Sequence, residues 1–198
     1  MRTKLGACLL AAALPFAAGA APETYTIDPH HTFPHFELDH LGYSWIRGRF
    51  DRTAGRFTLD PAARTGTVEL VIQTASVTTG DSERGERPRA RDEHLRTPDF
   101  FNVAEFPSMT FRGSAATWRD DAPAVIDGQL TLLGVTRPLA LTVTQWKCGP
   151  DPRTQGKRYM CGGVFTGSFM RSDFGMKFGV GPVSDEVKLW IGMEAFRN

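Results

Sequence analysis

Four of the chain's five histidines, His30, His31, His35 and His40, fall within eleven residues of the stretch DPHHTFPHFELDH, Asp28 to His40. Asp28, Glu37 and Asp39 stand among them. Imidazoles and carboxylates at this density are the groups that hold a transition metal or shuttle protons near neutral pH. Strand alternation separates them. His35, Glu37 and Asp39 share one face of PHFELDH, and Pro34, Phe36, Leu38 and His40 share the other. His30 and His31 likewise point to opposite faces of any strand they join. Histidines split between faces cannot converge on one ion from a single regular strand, so a metal site would have to recruit His94 or carboxylates from elsewhere. The expectation is a half-buried strand with one or two satisfied inward histidines, and no metal.

Other chemistry is sparse. The chain has no GxSxG elbow, HExxH, Walker loop or GxGxxG, and nothing supports a named reaction class. Asp28 and Asp173 read as turn caps or as partners of Arg171. The opening MRTKLGACLLAAALPFAAGA, with Arg2 and Lys4 before an apolar run and a small-x-small end, reads as a secretory signal peptide over residues 1–20, cut after Ala20. Cys8 leaves with it. The even pair Cys148 and Cys161 then favours a disulfide in an oxidising compartment, across a Pro- and Gly-containing hairpin tip. Losing Arg2 and Lys4 leaves 21 basic residues against 22 acidic ones, a balance that gives no electrostatic case for nucleic acid.

The elements that must position any site carry period two. Inward sets are Val68, Leu70 and Ile72; Met109 and Phe111; Ile126, Leu130 and Leu132; Leu139, Leu141 and Val143; Phe165 and Phe169; and Val187, Leu189, Ile191, Met193 and Ala195. Turn chemistry such as DDAP, LGVTRP and CGPDP bounds them. With further strands between Thr32 and Phe50 and from Arg56 to Asp60, about eight strands result, whose edges a closed antiparallel barrel satisfies. Residues 80–107 break the alternation. There ARDEHLRTPDFF predicts a short helix or two, stopped by Pro98, in a segment long enough to be a lid or plug.

A barrel of this size can hold one small ligand. Gly113, Gly128 and Gly167 interrupt the bulky inward residues and suggest open space, and the 14 phenylalanines suit an apolar tube. A buried isoprene unit contributes roughly 3–4 kcal/mol before ordering costs. Alternation alone leaves open a fully packed barrel without a cavity.

Several blocks follow one another in a recognisable order: Asp28, His31, Thr32, Phe36, His40, Gly48 and Phe50 in YTIDPHHTFPHFELDHLGYSWIRGRF, then ASVTTGD, RDEHLRTPDFFNVAEFPSMTF, GQLTLLGVTRPLAL, and RSDFGM with VSDEVKLWIGMEA. In these the chain resembles the YceI-like family, the polyisoprenoid-binding, lipocalin-like periplasmic proteins. The resemblance implies an extended eight-stranded barrel with a helix beside it, whose tunnel holds a long isoprenoid chain. DSERGERPRA is richer in arginine than the family pattern, Pro34 replaces a strand former, and the cysteine pair occurs in only part of the family.

The expectation is therefore an all-β, eight-stranded antiparallel lipocalin-like barrel with a short helical segment, occupying residues 21–198 after the signal peptide. It is a periplasmic binding protein for a polyprenyl or quinone-type lipid and not an enzyme, with no cofactor beyond that lipid. The oligomeric state stays open, a dimer included. Expected ligand contacts are Phe36, Leu38, His40, Phe50, Val68, Leu70, Ile72, Met109, Phe111, Leu130, Leu141, Phe165, Phe169, Leu189 and Ile191, with His40 and an Arg171–Asp173 pair as polar candidates. The competing expectation is a quinone- or metal-dependent enzyme or electron-transfer partner using His30, His31 and His40.

Overall fold

The computed structural model describes residues 21–198. The expected signal peptide lies outside the described residues. Eleven strands form one sheet: β1 (Glu23–Ile27), β2 (Phe33–His40), β3 (Ser44–Phe50), β4 (Thr53–Asp60), β5 (Thr65–Gln73), β6 (Val77–Thr78), β7 (Ser108–Arg119), β8 (Ala122–Leu132), β9 (Val135–Pro150), β10 (Tyr159–Met170) and β11 (Glu186–Arg197). The sheet runs β1-β4-β5-β7-β8-β9-β10-β11 and closes where β11 pairs with β1. β2, β3 and β6 extend the wall beyond β1, β4 and β5, because β11 pairs along its other half with β2. Each of these three wall paths is one strand broken in the middle. The barrel therefore has eight strand paths, the expected architecture, and all its pairings are antiparallel.

The hairpin between β8 and β9 turns on Leu133 and Gly134, both with positive φ (52° and 73°). That is the twist-matched two-residue connection, and it explains the glycine there. The segment after β6 folds over the same end of the barrel. Its one α-helix, α1 (Arg91–Leu95), is short and stops before Pro98, as the sequence predicts. Asp92 is almost fully buried and accepts from Thr78 Oγ1 at 2.9 Å, Thr79 N at 2.7 Å and Thr79 Oγ1 at 2.6 Å, which staples α1 to β6. Arg96 donates to the carbonyls of Ala75 and Val77, and Phe101 sets its ring edge-on to Phe50 at 5.3 Å. The insert is a docked plug. The opposite end carries the β4–β5, β7–β8 and β9–β10 tips and, among the described residues, has no such cover.

Cys148 and Cys161 face each other in register on β9 and β10 and form the expected disulfide. The inward glycines do not leave space as expected. The Phe111 ring lies on Gly128 and against Gly113, Phe36 lies on Gly48, and Gly167 is covered by Leu141 and the Ala140 carbonyl. Neighbouring rings, and at Gly167 a leucine and a carbonyl, occupy the volume that the missing side chains vacate, so these positions are packed.

Candidate ligand channel and the histidine turn

A narrow cavity of about 50 Å³ lies inside the barrel. Its walls are Phe57, Leu59, Val68, Leu70, Phe111, Ile126, Leu141, Trp146, Phe165, Ile191 and Met193, with Gly66, Ala115 and Pro123 toward the uncovered end. No titratable side chain is among the lining residues, so this slot presents neither acid nor base. Beside it, sharing Leu59, Pro123 and Trp146, is an open cup of about 680 Å³ at the uncovered end that also carries Arg119, Asp120, Asp121 and Lys147. Aromatic rings link the two. Tyr25 stacks on Phe57 at 4.6 Å, Phe57 meets Trp146 at 5.8 Å, and Trp146 meets Phe165 at 6.2 Å. Burial pushes the Tyr25 phenol well above its ordinary range, and its hydrogen bond to Glu23 adds to the rise.

Of the expected contacts, Val68, Leu70, Phe111, Leu141, Phe165 and Ile191 line the slot. Phe36, Phe50, Ile72, Met109 and Leu130 are buried but belong to the core toward the plugged end. Leu38, Phe169 and Leu189 are half-buried against that core and line no part of the slot. His40 ends β2 at the rim, where it bridges to Val183, and does not reach the slot either. Alternation assigns these residues a face but not a depth, and depth decides which of them meet the cavity.

Phe57, Leu59, Ile126, Trp146 and Met193 were not among the expected contacts. Ile126 and Met193 carry the inward alternation and could have been chosen. Trp146 is hidden by a bulge: Val164 pairs with Gln145 but Phe165 pairs with Val143, so Thr144 is the extra residue. Parity flips there, and Trp146 turns inward. Two buried polar atoms among the described residues lack partners, Thr53 Oγ1 and Trp118 Nε1.

Arg171 does not pair with Asp173, which is exposed. The buried guanidinium instead binds four carbonyls of the loop between β10 and β11: Ser184 at 3.0 Å, Met176 at 3.4 Å, Phe178 at 2.7 Å and Val183 at 3.2 Å. Burial lowers its pKa, against the pull of Asp185. Asp185 in turn accepts from Ser172 N at 2.8 Å and Ser172 Oγ at 2.6 Å.

The histidines go separate ways. His35 places Nδ1 at 2.8 Å from the Phe33 carbonyl and its ring edge-on to Trp190. His94 pairs with Asp99 at 2.7 Å on the plug. His31 lies in the turn joining β1 to β2, with Nδ1 at 2.8 Å from Asp28 Oδ2, while the His30 amide donates to Asp28 Oδ1 at 2.9 Å. Desolvation raises the Asp28 pKa, but the bonds from His31 and His30 outweigh it and the net shift is downward. Asp28 thus caps its turn, as the sequence suggests. The turn is stitched to β11: Asp28 N donates to the Glu194 carbonyl at 2.9 Å, and Thr32 Oγ1 bonds the carbonyl and amide of Glu194, each at 3.1 Å.

Both the sequence and the fold of this barrel have known counterparts. The chain is 37% identical over 203 residues to a UPF0312 protein of Pseudomonas aeruginosa, each chain covered completely. Among solved structures it resembles a Campylobacter jejuni YCEI protein, with a TM-score of 0.63 at 26% identity over 81% of this chain and 90% of that one. It shares the fold of a polyisoprenoid binding domain from Saccharophagus degradans implicated in plant cell wall breakdown, with a TM-score of 0.60 at 17% identity over 88% of this chain and 98% of that one. The model of the YceI-like domain matches residues 25–195, nearly every residue of the barrel, and the chain belongs to the YceI-like family.

Proposed function

We propose that this protein holds the hydrocarbon tail of an isoprenoid lipid, of polyprenyl or quinone type, in the barrel, and transports, stores or sequesters it in the periplasm. The observation that carries this is the slot itself, whose lining has no titratable group and which is joined by an aromatic path to a polar cup at the uncovered end. A tail in the slot and a head in the cup suit an amphiphile. The polyisoprenoid binding domain of the same fold supports the choice of tail.

At about 50 Å³ the slot is far smaller than the ~300–1,000 Å³ of ordinary small-molecule sites. Loading a tail therefore requires the side chains around it to move, and Met193, Leu70 and Leu141 have the rotamer freedom to do so. Ordering costs are offset at roughly 0.8 kcal/mol per buried methylene, so a few isoprene units reach micromolar affinity. The test is solvent extraction of the purified protein followed by mass spectrometry, with added polyprenyl alcohol as a second arm. A stoichiometric prenyl lipid supports the reading. A lipid-free protein that also fails to bind the alcohol ends it.

A further inference from the structure

Asp28, His31 and Glu194 each offer one ligand atom, and these atoms all lie within 4.8 Å of one another on the outside of the barrel. Alternation between strand faces argues against a metal held by the clustered histidines alone. The fold removes that objection by replacing the other histidines with a carboxylate from β11. We propose that Asp28, His31 and Glu194 form a binding site for one divalent transition-metal cation of the zinc class.

The donor set is one imidazole and two carboxylates, which suits such an ion and leaves further positions for water. The donors are also held in place before any ion arrives. The Asp28 amide and the Thr32 hydroxyl tie the turn to the Glu194 backbone, so two elements distant in sequence keep a fixed spacing. Arg153 engages Glu194 Oε2 at 3.1 Å and is shared with the buried Asp151, to which its Nε donates at 3.0 Å. Against the three carboxylates Asp28, Glu194 and Asp151 stand Arg153, Arg158, which acts on Asp151, and Lys147, which borders the same groove, so donor geometry rather than an excess of negative charge carries the site. Access is open, because His31 is half-exposed and borders a surface groove with Glu194, Lys147 and Met160. The remaining histidines of the stretch do not compete: His35 Nδ1 is committed to the Phe33 carbonyl, and His40 stands at the other end of β2.

The test is calorimetric titration of the chelator-treated protein with Zn²⁺, alongside the visible spectrum with Co²⁺. One equivalent is expected to bind. His31→Ala and Glu194→Gln should each weaken binding by at least ~10-fold, the loss that even outer-shell partners of a metal cause. His30→Ala, His35→Ala and His40→Ala should leave it within about twofold, since none supplies a donor. His31 is exposed enough for its variant to fold, and circular dichroism of Glu194→Gln checks the other. Absence of stoichiometric binding overturns the proposal, as does a loss spread evenly over the four histidines, which marks loose surface chelation. Lipid content does not enter either readout, so the site stands or falls apart from the lumen.

Discussion

The ring of Phe111 on β7 rests directly on the backbone of Gly128 on β8, so closely that Gly128 has no room for a Cβ. Phe111 is buried and lines the slot, so its seat on Gly128 sets the width of the lumen. Gly128→Ala forces the ring off that seat and should cost ~1–3 kcal/mol, the usual penalty of overpacking. Pairing it with Phe111→Leu should recover much of the loss, because the two sites share one volume. Urea unfolding of the four proteins in this cycle measures the coupling. Additive costs would show that Phe111 already leaves its seat freely.

The same contact shows where sequence stops informing. Period-two alternation names Phe111 and Gly128 as inward, and it locates the β7, β8 and β9 walls and the plug between β6 and β7. It cannot say that one fills the other, because the register that sets Gly113 directly opposite Gly128, and so places Phe111 diagonal to Gly128, is a property of strand pairing. Trp146 was lost for a related reason: the bulge at Thr144 inserts one residue, and a rule based on parity fails beyond it. Glu194 could not be linked to Asp28 at all. The closure of β11 on β1 is a tertiary event with no local trace, whereas the cap that Asp28 makes on its own turn is local and was legible.

Arg171 gathers the loop between β10 and β11 from inside, while the Ser172–Asp185 bonds, the Ser184 amide on the Asp39 carbonyl and the Phe178 ring against His94 and Phe100 hold its outside. Its four carbonyl partners span Met176 to Ser184, and Lys177, Phe178 and Val180 on that loop are exposed. Arg171→Met removes the donors and should cost on the order of 3 kcal/mol. Hydrogen exchange should accelerate across 175–185 ahead of the barrel strands. Arg171→Lys should not rescue, since an ammonium lacks the planar fork that reaches separate carbonyls. Protection unchanged in both variants would assign the loop's order to its own turns.

The disulfide ties β9 to β10 near the hairpin tip, in register at Cys148 and Cys161. The tip has other anchors: Asp151 N donates to the Arg158 carbonyl at 2.8 Å and the Asp151 carboxylate caps the Arg153 amide at 3.0 Å. A Cys148→Ser, Cys161→Ser variant should therefore still fold and lose ~2–4 kcal/mol, chiefly through the freed unfolded chain. Equal denaturation midpoints for the two proteins would show that the tip is closed without the bond.

Tyr25 makes the alkaline limit of stability readable. Its phenol is buried on Phe57 and donates to Glu23, and both effects raise its pKa above the ordinary 10.0. Below that value the phenol is protonated in folded and unfolded chains alike, and its contribution is fully present. As pH rises past it, the unfolded chain releases a proton that the folded chain keeps, so stability declines until the folded phenol itself ionises. Tyr25→Phe removes this slope at a cost at neutral pH of about 1 kcal/mol for the lost hydrogen bond. Denaturant unfolding of both proteins from about pH 8 to about pH 11 should then show the wild-type advantage shrinking above about pH 10. Curves that stay parallel over that range would mean that the phenol titrates alike in both states and that its burial on Phe57 carries no linkage.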